Sequence, residues 1–113
     1  MPIIRSNPIR KLVNGNEYVI PEVVIVSEPS YSTTGEGTVI VRGVNFCKIK
    51  LDSKNTDTVS IKAMTNTLII PDKGKIDEMY DEIIIDNSAC VTFSHAGGNW
   101  YIISSDGLKM EGE

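Results

Sequence analysis

Apolar and polar residues alternate with a period of two along much of this chain. Over residues 38–51, Val39, Val41, Cys47, Ile49 and Leu51 share one parity, and Lys48 and Lys50 fall on the other, facing solvent. Val59, Ile61 and Ala63 oppose Ser60 and Lys62 in the same way, and Ala89, Val91 and Phe93 oppose Cys90, Thr92 and Ser94. Such alternation marks half-buried strands, because successive side chains of a pleated strand point to opposite faces. Strands are predicted over 18–27, 38–51, 58–70, 83–86, 88–94 and 100–105.

The interruptions carry as much information as the runs. Pro21 removes a ladder donor, so the first strand begins after it or runs on an edge. Residues 28–37 form a polar connection. Gly43 marks a bulge or a break inside 38–51, and Asn66 divides 58–70. The cluster DSKNTD at 52–57 is a turn. Residues 71–82 show a hint of helical spacing in Ile76, Met79, Tyr80 and Ile83. That window is too short for a helix to hold by itself, so a loop with one turn is expected. Gly97-Gly98 supplies the positive φ angles of a tight hairpin. Residues 1–17 contain Pro2, Pro8 and Gly15 and read as an extended arm. The expected organisation is this arm followed by one β domain over 18–113. The expected fold class is all-β: a small antiparallel β-sandwich, or a β-roll or prism.

Composition agrees with that class. Val and Ile number 26, whereas Leu and Ala number 7 among 113 residues, which disfavours a helix bundle. No apolar run is long enough to span a membrane as a helix. The net charge of −4 disfavours nonspecific binding of nucleic acid, which needs a basic face. Charge is uneven: residues 1–17 hold Arg5, Arg10 and Lys11 against Glu17, a net of +2, and the rest is net −6. A basic arm that also carries Ile3, Ile4 and Ile9 suits docking on an acidic partner; the alternative is an ordinary solvated terminus. No basic segment precedes an apolar core as in a secretory signal, so synthesis in a reducing cytosol is expected. Cys47 and Cys90 are distant and belong to no CxxC, so each is expected to be a small buried hydrophobe with a free thiol.

Candidate chemistry is sparse. His95 is the sole histidine, with no second His or Cys at ligand spacing, and is expected to be an exposed residue flanking the hairpin turn. No GxSxG or Cys-His motif accompanies it, and no glycine pattern forms a phosphate loop. Asp72, Asp77, Glu78, Asp81, Glu82 and Asp86 supply oxygen ligands, but the calcium-loop pattern is missing and Lys73 and Lys75 interleave. A solvated loop is the expectation. Trp100, Tyr101 and Tyr80 are candidate interface aromatics, or a stacking platform for a sugar, although a tryptophan at the start of a closing strand is more often core or interface. No cofactor is expected.

The segments "TDTVSIKAMTNTLIIPDKG" and "EIIIDNSACVTFSHAGGNWYIISSDG" resemble the small β modules of tailed-phage virion proteins: head fibres, capsid decoration proteins and tail fibres. The matching positions are Ala89 to Phe93, Gly98 to Ile103 and the Ser105-Asp106-Gly107 turn, and the resemblance covers about residues 56–108. It implies a non-enzymatic virion protein, assembled in the host cytoplasm, that forms a homotrimer. Its partner would be the major capsid protein or another virion protein. Residues 1–37 lie outside the resemblance; the anchoring role of the arm, with Ile3, Ile4, Arg5, Ile9, Arg10 and Lys11, follows from its own charge and apolar residues. The alternatives are a tail-fibre module that binds a host receptor or glycan, a small enzyme with an acidic site, and a cytosolic β protein with a regulatory partner.

Overall fold

The computed structural model describes residues 3–6, 9–13, 16–20 and 22–107, with the side chains of Ile3 and of 22–107. Twelve strands and no helix occur among them. In chain order they are β1 (Ile3–Ser6), β2 (Ile9–Val13), β3 (Asn16–Ile20), β4 (Val23–Val26), β5 (Ser30–Ser32) and β6 (Thr38–Val41). The second half holds β7 (Phe46–Leu51), β8 (Thr58–Ala63), β9 (Asn66–Pro71), β10 (Ile83–Ile85), β11 (Ala89–Ala96) and β12 (Asn99–Asp106).

From β4 to β9 the chain alternates between two sheets. β4, β6 and β8 enter a six-stranded sheet of order β1-β4-β6-β8-β11-β12, and β5, β7 and β9 enter a four-stranded sheet of order β10-β9-β7-β5. Each pass places one strand in each sheet, and successive passes stack in parallel: Val39 faces Val24 and Ile61, and Ile49 faces Tyr31 and Ile69. The result is a flattened coil of three turns. Antiparallel strands then close it, β10 on β9, and β11 with β12 on β8. The all-β class therefore holds, but the antiparallel arrangement is corrected to two mixed sheets with a parallel centre. Parallel neighbours need a long crossover, and here the crossover is a strand of the opposite sheet.

The core lies between the two sheets. Val24, Val26, Val39, Val41, Val59 and Ile61 of one sheet meet Cys47, Ile49, Leu51 and Ile69 of the other, all fully buried. Phe93 and Trp100, the largest buried side chains, fill the end near the closing strands. Burial follows the predicted parity, as in β7, where Cys47, Ile49 and Leu51 point in and Phe46, Lys48 and Lys50 point out. The break at Gly43 separates β6 from β7, and its φ of 77° explains why glycine stands there. Ala96 pairs with Asn99 across Gly97-Gly98, whose φ angles of 58° and 85° make the predicted hairpin turn. β5 arises inside the expected polar connection 28–37.

Of the segment expected to be an arm, β1 pairs antiparallel with β4, and β2 pairs with β3 in a separate hairpin. Ile3 is half-buried against the core. The side chains of Ile4, Arg5, Ile9, Arg10 and Lys11 lie outside the described residues.

Candidate functional site

The outward side chains of the four-stranded sheet form a shallow groove. Parallel register sets Ser30 beside Lys48 and Ser32 beside Lys50, and Lys48 and Lys50 beside Leu68 and Ile70. Ser30, Ser32, Lys48, Lys50 and Ile70 line an open depression of about 630 Å³, which ends at Pro71 and Asp72. β10 extends the same face, with Ile84 next to Leu68. Phe46 and Ile84 are 46% and 59% exposed, so the face combines apolar side chains with two cations. Among the described residues no hydrogen bond or ion pair engages the amino group of Lys48 or Lys50. Adjacent outward positions on one strand lie about 7 Å apart, so the two charges concentrate on one spot.

The end of the groove is held by a carboxylate. Asp72 Oδ2 accepts from the amide of Ser53 at 3.0 Å and from its hydroxyl at 2.7 Å, and Asp72 Oδ1 accepts from Trp100 Nε1 at 3.2 Å. Partial desolvation pushes this carboxyl upward. The hydrogen bonds from Ser53, Trp100 and Lys73 outweigh it and hold the pKa at about 2. On the opposite margin, the fully buried Glu36 accepts from Tyr31 Oη at 2.7 Å, from Thr34 Oγ1 at 2.7 Å and from the Thr34 amide at 3.1 Å. This carboxylate ties the 33–37 loop to the edge strand β5. Its sequence, TTGEG, reads as a solvated turn and contains no sign of burial.

The predicted aromatic set separates. Trp100 is fully buried, in line with the core alternative, and offers no face to a sugar. Residues 75–77 lie across it: the Trp100 amide donates to the Lys75 carbonyl at 2.9 Å, and the Asp77 amide donates to the Trp100 carbonyl at 2.8 Å. The His95 ring packs edge-on against the indole, with centroids 5.2 Å apart. His95 is therefore half-buried and not the exposed turn residue expected. Its Nε2 is buried and has no hydrogen-bond partner among the described residues. Tyr80 is half-buried against the core and Tyr101 is half-buried on β12, so the three aromatics form no common platform.

The acidic stretch 72–82 forms a loop with one tight turn. Ile76 is fully buried and bridges Tyr80, which closes a turn at Asp77-Glu78-Met79 with φ angles of 54° and 60° at its first two residues. Asp77 Oδ1 caps the Ile102 amide at 2.9 Å, while Glu78, Met79, Asp81 and Glu82 are exposed. Lys75 pairs with Asp81 at 2.7 Å. No group of three or more His, Cys, Asp or Glu side chains converges to hold a metal among the described residues.

Both cysteines are free; Cys47 is buried and Cys90 is half-buried. Burial raises the Cys47 thiol to about 11, with the charge of Glu28 adding to the shift. That is an inert core thiol rather than a nucleophile.

Comparison with known proteins adds no relative: the chain matches no protein-family model, no curated protein and no solved structure.

Proposed function

We propose that this chain is a non-enzymatic structural subunit of a tailed-phage virion, a capsid decoration or head-fibre protein. It assembles as a homotrimer and attaches to the major capsid protein or another virion protein through residues 1–17. Self-assembly is the part that geometry supports best. The observation that carries it is the set of outward apolar side chains on the four-stranded sheet: Ile84, 59% exposed, beside Leu68, Ile70 on the same strand as Leu68, and Phe46, 46% exposed, on β7. Leaving such side chains in water forfeits about 25 cal/mol for each Å² that a partner would cover. A sister subunit packed on this face supplies the cover. The net +2 of residues 1–17 supports the attachment role, since it differs in sign from the rest of the chain.

Light scattering over a dilution series tests the assembly. A stable mass near three chains is expected, and a monomer at every concentration rejects the reading. Chains lacking residues 1–17 that still sediment with virions would reject the anchoring role.

A further inference from the structure

We infer that the acidic turn at Met79 of one copy seats in the lysine-lined groove of a second copy. The inference rests on the self-assembly proposed above and names the surfaces that make it.

Three observations carry it. The groove sets two cations, Lys48 and Lys50, beside Ile70 and Pro71, with the Asp72 carboxylate at its far end occupied by Ser53 and Trp100, and neither amino group is engaged among the described residues. The turn carries the complement: Met79 is 65% exposed between Glu78 and Glu82, whose carboxylates are likewise unengaged among the described residues. An apolar knob between two acids thus answers a groove in which Ile70 and Pro71 lie beside two lysines. Lys75 spends its charge on Asp81, which leaves Glu78 and Glu82 for an outside partner.

The turn is also preorganised. Ile76 anchors it in the core, the Asp77 amide and carboxylate clamp it to Trp100 and Ile102, and the Ile76 amide donates to the Tyr80 carbonyl at 2.8 Å. Asp77 and Glu78 both hold positive φ angles, 54° and 60°, which non-glycine residues adopt at a cost. A rigid, strained projection with an exposed tip loses little entropy on docking. Groove and turn are different patches of one chain, so their contact is head-to-tail and closes when the rotation makes a ring. A ring of three satisfies every groove with a neighbour's turn.

The test is a charge-reversal set read by light scattering, with circular dichroism and thermal melting to verify folding. The variants are K48E/K50E, E78K/E82K and the combination of all four. Each pair of reversals is expected to weaken association about 100-fold, because like charges then face each other across the contact. The combined variant is expected to recover the wild-type mass, which also shows that the reversals permit folding. Raised salt is expected to weaken the wild-type assembly.

If the wild type assembles and either reversal leaves its mass unchanged, this inference fails and the assembly reading stands. Failure of the combined variant to recover the mass also overturns it. A wild type that is monomeric throughout overturns both. Retention of that monomer on a heparin column, lost in K48E/K50E, would assign the groove to an acidic partner instead.

Discussion

The indole N–H of Trp100 donates to the carboxylate of Asp72 at 3.2 Å, and this bond clips the two sheets together at one end of the core. Asp72 follows the last residue of β9 in the four-stranded sheet, and Trp100 lies on β12 at the edge of the six-stranded sheet. Ser53, from the turn between β7 and β8, binds the same carboxylate through its amide and hydroxyl. Replacing Asp72 by Ala leaves the buried indole N–H without an acceptor. A loss of roughly 1–3 kcal/mol is expected, measured by urea unfolding at neutral pH.

Acid should reach the same clip. The Asp72 carboxyl sits at about 2 in the folded chain against an ordinary 3.8, so the folded state binds its proton less readily than the unfolded state. Its contribution to stability is present above about pH 4 and disappears as pH falls from there through about 2. Asp72→Asn should flatten that part of the stability–pH curve, recorded as urea midpoints between pH 5 and pH 2.

Trp100 is the one tryptophan and is fully buried, so it reports on the core directly. Native fluorescence should be blue-shifted and resistant to acrylamide quenching, and both properties should be lost in denaturant. Trp100→Ala should cost about 3–5 kcal/mol by cavity formation, visible as a large fall in Tm. A red-shifted, easily quenched native emission would contradict the burial.

The two thiols should differ in reactivity. Cys47 is buried and its thiol is pushed up to about 11 by burial and by Glu28, whereas Cys90 is half-buried on the outer side of β11. A disulfide reagent at neutral pH is expected to label Cys90 first and Cys47 only after denaturation. Because the folded chain holds the Cys47 proton more tightly than the unfolded one, stability should also decline as pH rises from about 9 toward 11.

Two glycines with positive φ predict opposite tolerances. A Cβ at Gly74 would overlap the carbonyl oxygen of Gly98 and the side chain of Asn99, in a backbone whose φ is 71°. At Gly97, with φ of 58°, nothing lies within 4 Å. Gly74→Ala should lower Tm strongly, because it forces the 72–76 segment away from the β11–β12 hairpin. Gly97→Asn should stay within about 1 kcal/mol of wild type, since Asn tolerates the left-handed region.

Much of the local structure was legible in the chain. The parity of residues 47–51, 59–63 and 89–93 placed Cys47, Ile49, Leu51, Val59, Ile61, Ala63, Ala89, Val91 and Phe93 in the core, where they lie. Lys48 and Lys50 faced solvent as read, and Gly97-Gly98 made the hairpin. β5 was not legible. Ser-Tyr-Ser has no apolar alternation and becomes a strand because the edge of β7 offers partners: the Lys48 amide donates to the Pro29 carbonyl at 2.8 Å, and the Thr33 amide donates to the Lys50 carbonyl at 3.0 Å. For Trp100 the sequence leaves core, interface and sugar platform open, because its cover, the 75–77 segment, is remote in sequence.

What the sequence determined by itself was which residues form strands, which face each side chain takes and where the chain turns, because these depend on near neighbours and on a pleat of period two. Only the tertiary structure decided which strands pair, and in which direction. Alternation is identical in parallel and antiparallel ladders, so nothing in 38–51 or 58–70 announces that β6 and β7 belong to opposite sheets or that β8 runs parallel to β6. The groove depends on that choice. Ser30, Lys48 and Ile70 come from three separate strands and share one face only because the coil stacks them side by side.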